Sequence, residues 1–251
     1  MRKTMLSIPL LSLLAITACG GGNDGIPNLP NLPSGGTSAG PVEALNSTVK
    51  GKIVFEGTAP TPKKLVTSSD PGCKNPNLVA EDIVVSDGGL ENVILFVSSG
   101  ADGKSFAAPT TVVTLNQQGC QYHPHALTLQ TGQKLKITNS DDTAHNVHAT
   151  PNINTGFNLP QANKGAETEK TFDKEEFQFP IKCDVHNWMQ TFVGVFKHPL
   201  HTVSKAGGAF EMKLPKGTYE ITAKHEKLGE SKQTVTVEDG ATVELKFSFK
   251  S

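Results

Sequence analysis

The sequence is poor in several things that would have settled a function at once. It has no run of basic residues, and its 23 basic and 24 acidic side chains leave a net charge of -1. Aromatics make up only 6% of the chain. Without a phosphate-tracking surface and stacking platforms, nucleic acid is excluded as a partner. No glycine-rich phosphate loop, nucleophile elbow or carboxylate dyad is visible, so the sequence reads as a non-enzyme. Sustained helical periodicity is absent too, and the one long apolar run, LSIPLLSLLAITA, is too short to span a bilayer.

That apolar run follows Arg2 and Lys3, the pattern of an export signal over residues 1–18. It ends in ITACG, which resembles the lipobox of bacterial lipoproteins. The resemblance implies that Cys19 is acylated and becomes the mature N-terminus. It also implies a lipid-anchored protein on the periplasmic side of a bacterial membrane, with Gly20 pointing to the outer membrane. Residues 19–48 are then a Gly-, Pro- and Asn-rich tether that buries too little to fold. As a coil, the tether spans on the order of 30 Å.

Export makes the cysteines informative. Beyond Cys19 there remain Cys73, Cys120 and Cys183. In an oxidising compartment two of the three should pair, leaving one as a candidate metal ligand. If Cys73 and Cys120 join, the closed loop stabilises the fold by about 4 kcal/mol on a chain-entropy estimate.

From residue 49 onward, alternating and β-branched segments recur between Gly, Pro, Asn and Asp clusters. Twelve strands are predicted, among them VKGKIVFEG, ENVILFVSS, KLKITNS, HNVHAT, FQFPIKC, TFVGVFK and GTYEITAKH. The fold class is all-β, of sandwich type. The closing stretch GGAFEMKLPKGTYEITAKH with two further strands resembles the carboxypeptidase regulatory-like domain, a small transthyretin-like sandwich. Its opening strands match GKIVFEG and NVILFV, more than a hundred residues earlier. The implied small sandwich is discontinuous, drawn from residues 49–107 and 199–251, with residues 108–198 inserted as a domain of their own.

The inserted segment carries the chemistry. CDVHNWM places Cys183, His186 and Met189 at i, i+3 and i+6, and HNV supplies His145 some forty residues upstream. With the strand LTLQTGQKLKITN, this resembles the cupredoxins, the plastocyanin and amicyanin type of blue copper protein. The short gap between His186 and Met189 is that of amicyanin, although Val185 stands where that type often has proline. The resemblance implies a Greek-key sandwich holding one type 1 copper ion. His145, Cys183 and His186 would form the trigonal plane and Met189 the weak axial ligand, a set that suits both copper oxidation states. Asn146 would brace the ligand loop by hydrogen bonds, and His186 would make an exposed exit for electrons. His145 and His148 point to opposite faces of an extended strand, so one ion takes only one of them. The resemblance favours His145, which follows the DDTA loop and carries the asparagine that accompanies the family's first histidine. Phe179, Val185, Trp188, Phe192 and Val193 are expected to crowd the site as a water-excluding apolar shell.

The Cys73–Cys120 bridge is the expected pairing, and a bridge involving Cys183 would contradict copper. Zinc gains little from a methionine. His123 with His125, on one face of a strand, and His198 with His201 are further pairs that could hold a second metal, the plainer expectation being surface histidines. His225 stands alone. The implied role is single-electron transfer with a redox partner such as a c-type cytochrome or an oxidoreductase. Copper trafficking or sequestration, or a scaffold lipoprotein with a structural metal, are the alternatives. The scarcity of methionine beyond Met189 and Met212 favours electron transfer.

Overall fold

A computed structural model describes residues 41–251 except 68, 69, 74 and 76. The export signal, Cys19 and most of the expected tether lie outside the described residues. Eighteen strands are present among these residues. The first six are β1 (Ser47–Glu56), β2 (Val85–Ser86), β3 (Gly89–Leu90), β4 (Ile94–Ser99), β5 (Val113–Gln118) and β6 (Gln121–His123). The middle six are β7 (Ala126–Gln130), β8 (Leu135–Asn139), β9 (His145–Ala149), β10 (Phe157–Gln161), β11 (Glu167–Lys170) and β12 (Glu176–Lys182). The last six are β13 (Gln190–Phe196), β14 (His201–Val203), β15 (Ala209–Leu214), β16 (Gly217–His225), β17 (Gly229–Val237) and β18 (Thr242–Lys250). Only two single-turn 3₁₀ helices interrupt them, so the protein is all-β.

The strands form four sheets, two of which draw only on residues 113–196. One has the order β10-β9-β12-β13-β7, the other β11-β8-β5-β6. Their inward faces meet in one core that includes Leu115, Leu129, Leu135, Ile137, Val147, Phe179, Ile181 and Val193. The alternation of LKITN and HNVHA puts every second residue into this core. The other two sheets combine the beginning and the end of the described chain. In one, β1 lies between β15, antiparallel, and β18, parallel, and also pairs with β3. In the other, β4 lies between β14 and β16. Val49, Ile53, Leu95, Tyr219, Ile221 and Phe247 fill their shared core. A small cluster of Ile94, Phe96, Ala126 and Phe196 joins the two pairs of sheets. Phe96 and Phe196 stack there with ring centres 4.8 Å apart.

One boundary differs from the sequence reading. The strand β1 begins at Ser47, inside the stretch expected to be tether, and Ser47 and Val49 are fully buried. Val42 already bridges to Ser105. Polar residues can enter a ladder when their hydroxyls find partners, and the Ser47 Oγ donates to the Glu238 carbonyl at 2.7 Å.

Strand β12 bears directly on the site. Pro180 sits in its middle, where a missing N–H would ordinarily break a ladder. Here the ladder to β9 covers only Ile181 and Lys182, so Pro180 lies just outside it. A register shift between Glu176 and Phe179 precedes it, with Gln178 at φ 50°. The strand therefore delivers Cys183 at the frayed end of a short ladder, beside His145 at the start of β9.

Candidate metal centre

Four elements converge at this end of the central sheets: the start of β9, the loop from β12 to β13, the β5–β6 turn, and residues Asp70–Cys73 of the long connection after β1. The β12–β13 loop is held tight by its own backbone. The Cys183 N–H donates to the Met189 carbonyl at 3.1 Å, and the Met189 N–H to the His186 carbonyl at 2.9 Å. That closure turns Cys183, His186 and Met189 inward together, and each is no more than 2% exposed.

The ring atoms Nδ1 of His145 and Nδ1 of His186 face each other at 2.9 Å. The Cys183 Sγ lies 4.0 Å from the first and 3.8 Å from the second. Both imidazoles are anchored from behind. The Nε2 of His145 is 2.9 Å from the Asp141 carboxylate, and the Nε2 of His186 is 2.8 Å from that of Asp70. A carboxylate only accepts, so each neutral ring carries its proton on Nε2 and leaves Nδ1 as a bare lone pair. Two such lone pairs at 2.9 Å repel unless a cation lies between them, either a metal ion or a proton that one ring donates to the other.

A metal ion fits that requirement. Bonds of about 2.0 Å to nitrogen and about 2.3 Å to sulfur reach about 4.0 Å end to end between two nitrogens and about 4.3 Å between nitrogen and sulfur. All three observed separations fall within these limits. Histidines oriented by carboxylates at the far nitrogen are the usual arrangement around a bound metal. Two imidazoles and a thiolate make a soft donor set, and Met189 is buried in the same core as Cys183.

The surroundings keep these groups in place. Asp141 also accepts the Gly119 and Cys120 N–H groups at 2.7 and 2.9 Å. Asp70 accepts the Gly72 N–H and the Thr143 hydroxyl. Its bond from His186, then these two, hold the Asp70 carboxyl below its ordinary range. Burial depresses the basicity of the His145 imidazole, with Asp141 opposing it. Asn146 Oδ1 accepts the Asp184 N–H at 2.6 Å and lies 3.4 Å from the Cys183 Sγ. Its amide reaches the Asp184 carboxylate at 2.8 Å. Tyr122, fully buried, donates its hydroxyl to the Asn146 carbonyl at 2.7 Å and lies 3.3 Å from that of Lys182. It thus ties the residue after His145 to the residue before Cys183.

Cys73 and Cys120 are joined in a disulfide across 47 residues of sequence, and Cys183 is the free, buried cysteine among the described residues. The bridge lies against the site: the Cys73 Sγ is 3.3 Å from Nε2 of His186.

Several expectations need correction. His186 makes no exposed exit, because Asp70 and the disulfide cover its outer edge. Val185 is 60% exposed and belongs to no apolar shell. Of the other expected shell residues, Phe179 and Val193 are core. Trp188 is half-buried, its ring centre 5.2 Å from that of His186 and its Nε1 donating to the Cys120 carbonyl at 2.9 Å. Phe192 turns the other way, against His125. His148 lies on the opposite face of β9 from His145, paired with Asp184 at 3.0 Å.

Among the described residues, neither of the other histidine pairs joins a third potential ligand in a cluster that could hold a metal ion. The strand carrying His123 ends there, and His123 is exposed, 3.1 Å from the Gln118 carbonyl. His125 is buried beyond it, 2.8 Å from Glu226 and 3.6 Å from Glu81. Burial works against its charge, but hydrogen bonds to the two carboxylates outweigh it and raise its pKa to about 9. His198 contacts the Val97 carbonyl and His201 the Thr128 hydroxyl. Burial lowers the His201 pKa to about 3. His225 is buried rather than free-standing; its Nδ1 accepts the N–H groups of Lys227 and Leu228, and burial lowers its pKa to about 4.

Sequence reasoning missed Asp70, Asp141, Tyr122 and the covering connection. No protein-family model and no curated protein matches the chain. Among solved structures, it is similar to a copper-containing nitrite reductase (NirK) from Thermus scotoductus, at 19% identity over 37% of this chain and a TM-score of 0.32. The chain spans only 24% of that reductase. It is also similar to a purple cupredoxin from Nitrosopumilus maritimus, at 23% identity over 33% of this chain and 98% of the other, with a TM-score of 0.29. A mutant amicyanin in its Cu(I) form matches at 18% identity over 40% of this chain and 97% of the other, with a TM-score of 0.31. The likeness is partial in every case.

Proposed function

We propose that this protein is a single-electron carrier built on a type 1 copper site, with His145, Cys183 and His186 as strong ligands and Met189 as the weak axial one. The observation that carries the reading is the pair of facing Nδ1 atoms at 2.9 Å with the Cys183 Sγ beside them. Copper held there supplies a one-electron couple. The protein's own contribution is rigidity. Asp70 and Asp141 fix the two rings and their tautomers, Tyr122 ties the two ligand-bearing strands, and Asn146 holds the start of the loop. Ligands that cannot move give little reorganisation when the charge changes. Burial of all four keeps water out.

With the outer edge of His186 covered, the ligand loop itself offers the way out. Asp184 and Val185 directly follow the thiolate and reach the surface. The partner proposed is a redox protein, such as a c-type cytochrome or an oxidoreductase, met on the periplasmic side of a membrane to which Cys19 anchors the chain. No catalytic step is assigned to the protein.

The covered imidazole also favours a second reading, in which the same ligands store or deliver copper without cycling. Protein-film voltammetry separates the two. A reversible one-electron wave with fast interfacial exchange supports the carrier. A slow, irreversible wave accompanied by release of copper supports handling and contradicts the carrier.

A further inference from the structure

Both histidines of the metal centre are two-sided, and the same feature stands behind each. His186 directs Nδ1 toward Cys183 and Nε2 toward the Cys73 Sγ, 3.3 Å away. His145 directs Nε2 toward Asp141, which also accepts the N–H of Cys120. The two bridged sulfur atoms and a nitrogen of His186 all lie within 4.8 Å of one another. Cys73, Cys120 and His186 are each no more than 3% exposed. As a disulfide the sulfurs are poor donors. As thiolates they would be the softest ligands a protein offers, already gathered around an imidazole nitrogen.

We propose that Cys73 and Cys120, once reduced, form with His186 a second soft-metal site that takes Cu(I). Reduction breaks the S–S bond. A dithiol of the same compartment gives two electrons and two protons and closes to its own disulfide. Binding of Cu(I) then displaces the two thiol protons to solvent. Two thiolates and one imidazole satisfy a Cu(I) ion, for which sulfur ligands are selective.

A neutral imidazole has one lone pair to give, so His186 serves the site at Nδ1 or the site at Nε2. The disulfide's redox state thereby decides where a soft ion can sit, and Asp70 loses its proton donor when His186 turns its lone pair outward. This competition rests on the copper reading above; the dithiolate site itself does not.

The test uses the full chain carrying Cys183→Ser, which removes the thiolate of the first site. The disulfide is reduced with a water-soluble phosphine, which becomes the phosphine oxide with oxygen from water. Cu(I) is then titrated anaerobically against a chromophoric Cu(I) chelator, before and after reduction, with far-UV circular dichroism recorded throughout. The expected result is one additional equivalent of Cu(I) after reduction and none before, with the β signal unchanged. X-ray absorption should then show two sulfur neighbours and one nitrogen, the nitrogen being lost on adding His186→Gln. The variant Cys73→Ala/Cys120→Ala/Cys183→Ser, treated identically, should show no such gain on reduction. Reduced Cys183→Ser protein that binds no more Cu(I) than this triple variant, or binds it only as the β signal collapses, overturns the proposal. Failure of the first site would instead show in the oxidised wild-type protein, so the two failures are distinguishable.

Discussion

The two pairs of sheets are made from the same kinds of strand and put to different uses. In the pair formed by the two ends of the described chain, β16, β17 and β18 each run for nine residues, and β16 and β17 pair without a break. The largest side chains buried there are apolar or tyrosine. In the central pair, strands are three to seven residues long, and β12 meets β9 over only two. His145, His186, Asn139 and Gln161 are buried there as well. Buried polar groups need partners, and at the ligand end those partners are loop carboxylates. Regular ladders give stability, whereas a frayed ladder end with satisfied polar groups gives a place for chemistry. Substitutions in the two regions should therefore separate cleanly.

The largest separation concerns the thiolate. Cys183→Ser should abolish any thiolate-to-copper absorption while leaving the unfolding midpoint of the apoprotein within a few degrees. The reverse is expected for Phe247→Ala in the other core: a loss of about 3–5 kcal/mol in stability, with the copper spectrum unchanged. Urea unfolding and one absorption spectrum for each variant check both. Removing the disulfide as Cys73→Ala/Cys120→Ala should cost about 4 kcal/mol by loop closure, as much as the core truncation, because it staples the covering connection to the central sheets.

A pH scan sharpens the same contrast. His125 lies between Glu81 and Glu226, and its pKa of about 9 in the folded state exceeds the ordinary 6.5. Its contribution is fully present below about pH 6.5 and is lost as pH rises through about 9, on the order of 3 kcal/mol in all. Glu226→Gln should flatten that alkaline limb. On the acid side, His201 and His225 have depressed values of about 3 and 4. Their contribution is present above about pH 6.5 and falls away as the pH drops toward those values. The smallest effect is expected for Asn146→Ala, about 1 kcal/mol from the lost bond to the Asp184 N–H.

Much of this was legible in the residues. All twelve segments read as strands are strands, because alternation and β-branching report directly on a half-buried pleated surface. That Cys183 and His186 would lie close together was legible because one short loop holds both, and the structure brings His145 to them from the start of a strand. The Cys73–Cys120 bridge was expected because three cysteines beyond Cys19 leave one over, and Cys183 was read as the ligand. The six missed strands are short or polar, such as ETEK in β11, and owe their pairing to neighbours rather than to their own pattern. Asp70 and Asp141 were invisible because loop carboxylates are common, and only the folded chain brings these two behind the histidines. The cover over His186 escaped for the same reason. Nothing local in PGC says that it will travel 113 residues in sequence to lie against an imidazole.

The most direct measurement is the visible and EPR spectrum of the oxidised wild-type protein loaded with Cu(II). An intense thiolate-to-copper band with narrow hyperfine splitting, bleached by a mild reductant, restored by an oxidant and absent in Cys183→Ser, is the predicted result. A pale spectrum with ordinary wide splitting, unchanged by Cys183→Ser, would contradict the assignment of Cys183 and the two facing histidines to one copper ion.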